Sequence, residues 1–342
     1  MADRVLVTGI SGFLGGHVAL ALLDAGYAVR GSVRNLGKAD KVRETLARAS
    51  AAGNADNVEF VALDLSDDKG WREAAEGCRY LQHVASPFVT AMPRDKDELI
   101  RPAVEGTRRA LQAGLAAGVE RIVLTSSFAA IGYGHPPART GPFSEADWSK
   151  TSGEEVNFYT ESKTRAELEA WSIMEAAGRR DDLAVVNPTA ILGPLLDDDP
   201  GTSGDLVRRL LAGGVPALPR ISFGMVDVRD VAELQLKAME TLSAGGKRFI
   251  ASAGPMSFKE IADALRSAFP DRAAKIPDRE LPDWLARIAA LFNAELRSRV
   301  ASLGIVKQID NRAGTALLGH PFISPAEAAV AMGRSLVEQK LV

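Results

Sequence analysis

The sequence predicts an α/β protein with a doubly wound parallel sheet and a smaller, mostly helical C-terminal substrate lobe. Short apolar runs alternate with helical patterns through the first half of the 342-residue chain, a spacing typical of βαβ units. The apolar runs do not alternate with polar residues, as expected of strands that helices cover on both faces. A glycine-rich turn follows the first apolar run and begins the first helical pattern.

The apolar runs and the helical periodicities predict the order of the elements. Strands are predicted at residues 5–8, 28–33, 58–63, 80–84, 121–125 and 183–186. The helices between them are predicted at residues 14–24, 39–51, 71–76, 98–118 and 159–177. Later helices are predicted at residues 231–242, 258–269 and 281–291, with a last strand at residues 247–251. This order divides the chain into a domain of residues 1–190, rejoined by segments around 221–252, and a second lobe made mainly of residues 191–342.

Composition and charge narrow the class of protein. The net charge is −3 and no basic block occurs, which argues against nucleic acid as a partner. The single cysteine, Cys78, cannot form an internal disulfide, and the four scattered histidines show no metal-ligand spacing. No signal-peptide pattern is found, and no apolar window reaches the roughly 18 residues of a membrane span. We therefore expect a cytoplasmic protein without a metal or a membrane partner.

The glycine-rich turn is the first candidate binding site. Gly9, Gly12 and Gly15 recur at every third residue, a variant of the G-x-G-x-x-G fingerprint of dinucleotide-binding proteins. Such glycines permit a tight turn and a close approach of the backbone to phosphate, and the helix that follows offers N–H groups to it. The alternative is an ordinary turn that contains glycines. Its position between an apolar strand and a helix favours a Rossmann-type pyrophosphate site.

The residues after the second predicted strand indicate which dinucleotide binds. An acidic residue there would bind the ribose 2′-hydroxyl of NAD, whereas a cation would accommodate the 2′-phosphate of NADP. The chain has no acid at this point but has Arg34, followed by Lys38 and Lys41. The guanidinium fork of Arg34 suits a phosphate, although the two lysines fit a solvated helix start equally well. The sequence therefore predicts NADP(H) as the cofactor.

A tyrosine and a lysine supply candidate acid–base chemistry. Tyr159 and Lys163 are four residues apart on a predicted helix, so they lie on one face, about 6 Å apart along the axis. A nearby ammonium stabilises a phenolate, which lets the tyrosine exchange a proton near neutral pH. Ser127 ends the fifth predicted strand, where open α/β sheets place their sites, and its hydroxyl could hold a carbonyl oxygen. Surface decoration is the alternative for the pair, and local backbone capping is the alternative for the serine.

In combination these residues resemble the extended short-chain dehydrogenase/reductase superfamily, and within it the dihydroflavonol-reductase-like branch. That branch includes cinnamoyl-CoA, anthocyanidin, methylglyoxal and broad aldehyde and ketone reductases. The blocks that carry the resemblance occur in family order at residues 5–15, 29–34, 63–65, 83–87, 104–107, 125–127, 159–163 and 226–231. The asparagine that many superfamily members have near residues 106–107 is absent, which leaves no asparagine there for a proton relay.

The resemblance implies a role for each of these residues. Ser127, Tyr159 and Lys163 would be the catalytic residues, and Lys163 would also hold the nicotinamide ribose. In the glycine turn, the residues implied to bind the cofactor are Gly9, Ser11, Gly12, Phe13, Leu14 and Gly15. Elsewhere, they are Arg34 and Lys41 at the 2′-phosphate, Asp64 and Leu65 at the adenine, and Ala85, Ser86, Pro188, Thr189 and Ser203.

The function predicted from these features is NADPH-dependent reduction of a ketone or aldehyde, with Tyr159 as the proton donor. The partner is a small-molecule carbonyl substrate, and the chain is expected to be a monomer or a homodimer. One alternative is a sugar-nucleotide epimerase or dehydratase that retains NAD, against which Arg34 and the pair Phe128–Ala129 argue. The other is a non-catalytic NADP-sensing protein, which would not require Tyr159 and Lys163.

Overall fold

A computed structural model describes residues 2–342 except 56–57, 88–92, 94, 137–138, 154, 199–200 and 298–299, and except the side chains at 202–203 and 294–295. In the described part of the chain, seven parallel strands form the main sheet in the order β10-β6-β5-β4-β1-β2-β3. These strands are β1 (Arg4–Thr8), β2 (Ala28–Val33), β3 (Val58–Ala62), β4 (Tyr80–His83), β5 (Arg121–Thr125), β6 (Leu183–Pro188) and β10 (Arg248–Ala251). The predicted Rossmann-type parallel sheet is thereby confirmed.

Helices cover both faces of this sheet and form the C-terminal lobe. Those of the first half are α1 (Phe13–Asp24), α2 (Ala39–Ala49), α3 (Trp71–Ala75), α4 (Asp97–Ala116) and α5 (Phe158–Ala176). Those of the second half are α6 (Gly201–Ala212), α7 (Val228–Glu240), α8 (Phe258–Ala268), α9 (Asp283–Ala289), α10 (Ala294–Arg297), α11 (Arg312–Leu318) and α12 (Pro325–Glu338). None of the helices in the described residues is both long and apolar enough to cross a membrane.

Burial on both faces of the sheet explains the unbroken apolar strands. Val7 of β1 packs with residues of α1 and α7, whereas its neighbour Leu6 packs with residues of α4 and α5 on the opposite face. Successive side chains of a strand point to opposite faces, so both need to be apolar when both faces are covered. The helices α4 and α5 also pack against each other. The sequence predicted this layering because most strand residues are apolar on both faces, with Arg30, Gln82 and His83 among the buried polar exceptions.

The C-terminal lobe contains short strands that periodicity did not reveal. A small sheet has the order β11-β9-β7, with β7 (Ala190–Leu192), β9 (Ser222–Asp227) and β11 (Gly254–Ser257), and β8 (Leu218–Pro219) pairs with β12 (Glu280–Leu281). These strands have only two or three residues or contain glycine, proline or serine, so they lack the apolar run that marks the strands of the main sheet. The predicted helix at 231–242 starts earlier, at Val228, because Asp227 accepts a hydrogen bond from the N–H of Arg229 and caps it.

The strand order identifies the edge of the sheet where ligands bind. From β1 the chain runs outward through β2 and β3, and it then returns to place β4 on the other side of β1. In open α/β sheets, ligands bind at this switch point, beside the carboxyl ends of the strands. The glycine turn follows β1, Ala85 and Ser86 follow β4, and Ser127 follows β5. The topology therefore brings the predicted cofactor and catalytic segments to one edge.

Candidate active site

The glycine turn is a close contact between β1, α1 and the segment after β4. Gly9 has a φ of +70°, and a Cβ on it would lie 3.0 Å from the Cα of Ala85. A Cβ on Gly15 would lie 2.1 Å from the carbonyl oxygen of Gly9, so a side chain there would force the helix off the strand. Gly12 is exposed, and a Cβ on it would make only an ordinary contact at 3.5 Å with the carbonyl oxygen of Gly9. Two of the three glycines thus serve packing, and the third lies at an accessible surface.

The N-terminus of α1 faces this accessible surface. Gly12 is the N-cap and has no side chain with which to bind the first N–H groups of the helix. Those groups and the positive end of the helix dipole are therefore directed toward a ligand. A depression lies beside them, bordered by Ser11, Phe13 and, from the C-terminal lobe, Leu196 and Asp197. Leu14, also predicted to bind the cofactor, is instead buried in the core beneath the turn.

The cations predicted to bind a 2′-phosphate differ in their surroundings. Arg34 is exposed immediately after β2. Lys41, on α2, donates to Asp198 at 2.6 Å in an exposed ion pair, and this bond holds the pKa of Asp198 below its ordinary value. Asp64 is exposed after β3, and hydrogen bonds from the hydroxyl and N–H of Ser66 lower its pKa. Arg34 therefore places a positive charge at the end of β2, whereas the charge of Lys41 is paired with Asp198.

Leu65, Ser86 and the segment after β6 surround the same edge. Leu65 is half-buried and packs against α4, where a Cβ on Gly106 would meet its side chain at 2.6 Å. Ser86 is exposed and borders a depression that reaches Lys163. Pro188 is buried at the end of β6, and Thr189 bonds through its N–H and its hydroxyl to the carbonyl of Ala251. The side chain of Ser203 lies outside the described part of the chain.

A buried histidine lies between the glycine turn and the catalytic helix. The hydroxyl of Thr8, at the end of β1, accepts hydrogen bonds from the N–H groups of Val84 and Ala85 at 3.0 Å. Its single proton is then donated to Nδ1 of His83 at 2.9 Å, which leaves Nε2 as the protonated nitrogen. Burial, and secondarily the charge of Lys163, lower the pKa of His83 to about 3. The imidazole is therefore neutral at physiological pH.

The predicted catalytic residues lie on α5 and in the turn after β5. Ser127 caps the turn after β5, and its hydroxyl oxygen accepts from the N–H of Ala129 at 3.1 Å. Tyr159 lies in the first turn of α5 and is 38% exposed, whereas Lys163, one turn further, is 9% exposed. Lys163 borders a small depression together with His83, Ala85, Ser86, Thr107, Thr125, Ser126 and Glu167. The phenol is thus accessible from solvent, while the ammonium lies in the floor of the cleft.

Two charged residues of the site were missed by the sequence reasoning. The carboxylate of Glu167 on α5 has no exposed surface, and it pairs at 2.5 Å with Arg248, whose side chain is 8% exposed. Glu167 also accepts hydrogen bonds from Ser126, which follows β5, and from Asn187, the second-last residue of β6. The available signal was spacing, because Glu167 follows Lys163 by four residues on the same helix face. Its partner Arg248 had no local signal, since the two are 81 positions apart.

The loop after Ser127 is attached to the C-terminal lobe. The N–H and carbonyl of Phe143 bond to the carbonyl of Gln308 and the N–H of Asp310, both at 2.8 Å. Lys307 pairs with Glu155 at 2.7 Å, with side chains 17% and 15% exposed. Its ammonium also lies 4.8 Å from the ring centre of Tyr133.

In the part of the chain that the structure describes, no group of His, Cys, Asp and Glu side chains has the arrangement of a metal site.

Comparison with known proteins identifies the family. Residues 5–252 match the model of the NAD dependent epimerase/dehydratase family, and because this span exceeds half of the chain, the chain belongs to that family. A ketoreductase from Aspergillus niger is 34% identical over 304 residues, which cover 83% of this chain and 88% of that protein. A cinnamoyl-CoA reductase from Medicago truncatula is 30% identical over 286 residues, which cover 82% and 84%.

A solved structure agrees with these sequence relatives. The yeast methylglyoxal/isovaleraldehyde reductase in complex with NADPH superposes with a TM-score of 0.80 and 26% identity, covering 99% of this chain and 100% of that one. The likeness thus extends over the C-terminal lobe as well as the parallel sheet. The predicted resemblance to extended short-chain dehydrogenase/reductases, and to their reductase branch, is confirmed.

Proposed function

We propose that this protein is an NADPH-dependent reductase that transfers hydride to the carbonyl carbon of a ketone or aldehyde. The observation that carries the proposal is the placement of Tyr159 and Lys163 one turn apart on α5, beside the edge of the sheet where Ser127 follows β5. The reductases that resemble the chain over most of its length support the same chemistry.

The cofactor cleft fits a dinucleotide phosphate. The uncapped N-terminus of α1 and the open surface at Gly12 suit the pyrophosphate, and Arg34 suits the 2′-phosphate. NADPH, when bound, supplies the hydride. We assign the remaining contacts as the resemblance implies: Gly9, Ser11, Phe13, Gly15, Lys41, Asp64, Leu65, Ala85, Ser86, Tyr159, Lys163, Pro188, Thr189 and Ser203. Leu14 is assigned through its backbone, because its side chain is buried.

The chain's own residues then handle the oxygen and the proton. Ser127 already accepts a hydrogen bond from Ala129, and that bond uses a lone pair rather than the hydroxyl proton. The proton is thus suited to donate to the substrate oxygen, where charge develops during reduction. The exposed phenol of Tyr159 transfers its proton to that oxygen, and the ammonium of Lys163 stabilises the phenolate that results.

The two alternatives require features that differ from these. An NAD-retaining epimerase would be expected to have an acid after β2, where this chain has the exposed Arg34. The dehydratase pattern would have an acidic pair where Phe128 and Ala129 are buried and apolar. A non-catalytic sensing protein would not oxidise NADPH, whether or not Tyr159 is present.

A panel of aldehydes and ketones tests the proposal, with oxidation of NADPH and of NADH measured in parallel. We expect turnover with NADPH, and Tyr159→Phe should lower kcat by at least about a hundredfold while NADPH binding stays within twofold. The matched control is Tyr27→Phe, because the Tyr27 hydroxyl bonds to Glu240 away from the cleft. Full turnover by Tyr159→Phe, or epimerisation of a sugar nucleotide with tightly held NAD, would contradict the proposal.

Three expectations remain predictions from the sequence. They are a cytoplasmic location with no nucleic-acid partner, a monomeric or homodimeric state, and the division into a cofactor domain of residues 1–190 with later segments around 221–252 and a substrate lobe made mainly of residues 191–342. Light scattering would test the oligomeric state, and limited proteolysis would test the division into two domains.

A further inference from the structure

The carboxylate of Glu167 connects α5 to the ends of three strands. It has no exposed surface and lies one helical turn beyond Lys163. Its Oε2 accepts from the hydroxyl of Ser126 after β5 at 2.5 Å and from Nδ2 of Asn187 in β6 at 2.7 Å. Its Oε1 accepts from Nε of Arg248, the first residue of β10, at 2.5 Å. A single side chain of the helix that carries Tyr159 is therefore bonded to three neighbouring strands.

The bonds made by Asn187 extend this connection to Ser127. Nδ2 of Asn187 donates to the carbonyl of Ser127 at 3.2 Å as well as to Glu167. The residue before Ser127 is bonded to Glu167 directly. The carbonyl of Ser127 and the side chain of Ser126 are thus both connected to the same carboxylate, the first through Asn187 and the second directly.

Arg248 attaches the loop that follows Ser127 to the same carboxylate. Its Nη1 donates to the carbonyls of Glu145 and Asp147 at 2.8 and 2.6 Å, and its guanidinium lies 3.9 Å from the ring centre of Trp148. The carboxylate of Glu145 in turn accepts from the N–H of Ile250 at 3.0 Å. The loop is therefore fixed to β10 and, through Arg248, to α5.

A buried ion pair of this kind is weak evidence for stability. Desolvation of the two charges offsets their attraction, and apolar replacements of similar volume are often neutral or stabilising. Orientation is a stronger reason for such a pair, because a misplacement of about 1 Å between reacting groups can cost about a hundredfold in rate.

We propose that Glu167, with Arg248 and Asn187, is a positioning residue that holds Ser127 in register with Tyr159 and Lys163. This inference rests on the proposed reductase function. Glu167 need not touch the substrate. It acts by fixing the end of β5 against α5, so that the hydroxyl and the phenol converge on one oxygen.

The test replaces Glu167 by the isosteric Gln, which cannot accept from all four donor residues, Ser126, Asn187, Arg248 and Trp171, and leaves the charge of Arg248 unpaired. Single-turnover hydride transfer is measured with the best carbonyl of the panel, together with KM, the NADPH Kd and Tm. We expect the rate to fall 10- to 100-fold, with KM and the NADPH Kd within twofold. The matched control is Glu169→Gln on the same helix, because Glu169 pairs with Arg108 near the surface. It should keep the wild-type rate.

Two further variants keep the inference testable if Glu167→Gln is unstable. Ser126→Ala removes one bond to the carboxylate and should slow hydride transfer about three- to tenfold, with a smaller fall in Tm than that of Glu167→Gln. The double variant Glu167→Leu with Arg248→Met replaces the ion pair by apolar side chains. We expect it to stay slow even where its Tm equals that of the wild type.

The outcomes separate this inference from the proposed function. A wild-type rate in Ser126→Ala, or recovery of the rate together with Tm in the double variant, would show that the network only stabilises the fold. If the rate of Glu167→Gln is unchanged while Tyr159→Phe is inactive, the positioning role fails and the reductase stands. Retained turnover in Tyr159→Phe would instead remove the proposed function itself.

Discussion

The two ends of the cofactor cleft are built in opposite ways. At the pyrophosphate end, contacts are made by backbone, and the turn depends on the missing side chains of Gly9 and Gly15. At the catalytic end, contacts are made by buried side chains, with Glu167 joined to residues of three strands. The pyrophosphate end is encoded within seven consecutive residues. At the catalytic end, the strand residues bonded to Glu167 are 20 to 81 positions away from it in the sequence.

The two ends are therefore sensitive to different kinds of substitution. A glycine turn has no side chain to lose, so it is damaged by adding atoms. The network around Glu167 is damaged by removing a partner, because a buried donor is then left without an acceptor. Substitutions at the two ends should therefore fail in different ways.

Ser127→Ala should have the largest effect on catalysis, because it removes a donor from the catalytic end. We expect kcat to fall about 100- to 1000-fold, the loss typical of an oxyanion donor, with NADPH binding unchanged. Rapid-mixing absorbance at 340 nm measures the rate. The control is Ser324→Ala, which also deletes a capping serine but at the start of the distant α12. Equal activity of the two variants would contradict the role of Ser127.

Gly15→Ala should damage the pyrophosphate end by overpacking, since its Cβ would lie 2.1 Å from the Gly9 carbonyl oxygen. We expect the free energy of unfolding to fall by about 3 kcal/mol, together with weaker NADPH binding. Gly12→Ala is the matched variant for stability, because its Cβ would meet only an ordinary contact at 3.5 Å. Urea denaturation compares the two, and similar losses would refute the distinction between the glycines.

His83 joins the two ends, and its titration should lower stability in acid. The folded pKa of about 3 lies below the ordinary value of 6.5. Between these values the unfolded chain binds more protons, so stability falls as the pH falls. From pH 7 to pH 5 this loss amounts to about 2 kcal/mol. His83→Asn should reduce the pH dependence, because its Oδ1 can accept from Thr8 without titrating.

Urea denaturation at both pH values measures this effect. His320→Asn is the control, since His320 is exposed and its pKa is raised by its bond to the carbonyl of Pro321. It should retain the loss of stability seen in the wild type. If His83→Asn also retains that loss in full, His83 is not its source.

The smallest effect is expected at Lys41. Its exposed ion pair with Asp198 competes with any phosphate for the same ammonium. Lys41→Ala should therefore raise the NADPH Kd less than about fivefold, whereas Arg34→Ala should raise it tenfold or more. Fluorescence titration with NADPH and NADH measures both. A larger loss in Lys41→Ala than in Arg34→Ala would reverse our assignment of the 2′-phosphate site.

Much of the fold could be predicted because its signals are local. The six strands predicted between residues 5 and 186 all occur, since each carries apolar residues that are buried in the sheet. The strands β7, β9 and β11 were missed because they are short and irregular in composition. Their pairing is decided by contacts between distant segments, as in the register of Gly254 with Met225.

The predictability of the site follows the same division. The glycine turn and the pair of Tyr159 and Lys163 could be predicted because backbone geometry fixes the relative positions of residues that are close in sequence. Arg248, Asn187 and the competitor Asp198 were not recognised as partners, since their positions depend on which strands and loops become neighbours. Local patterns thus predicted the reacting groups but not the residues that hold them in place.

The attachment of Phe143 to residues 308 and 310 has a consequence for recombination between relatives. The segment that follows Ser127 is bonded to a stretch near the C-terminus by these backbone bonds and by the pair of Lys307 and Glu155. A chimera that inherits only the C-terminal stretch from another reductase would join two segments that are not matched to each other. We expect selectivity to be inherited intact only when residues 139–156 and 303–311 come from the same parent.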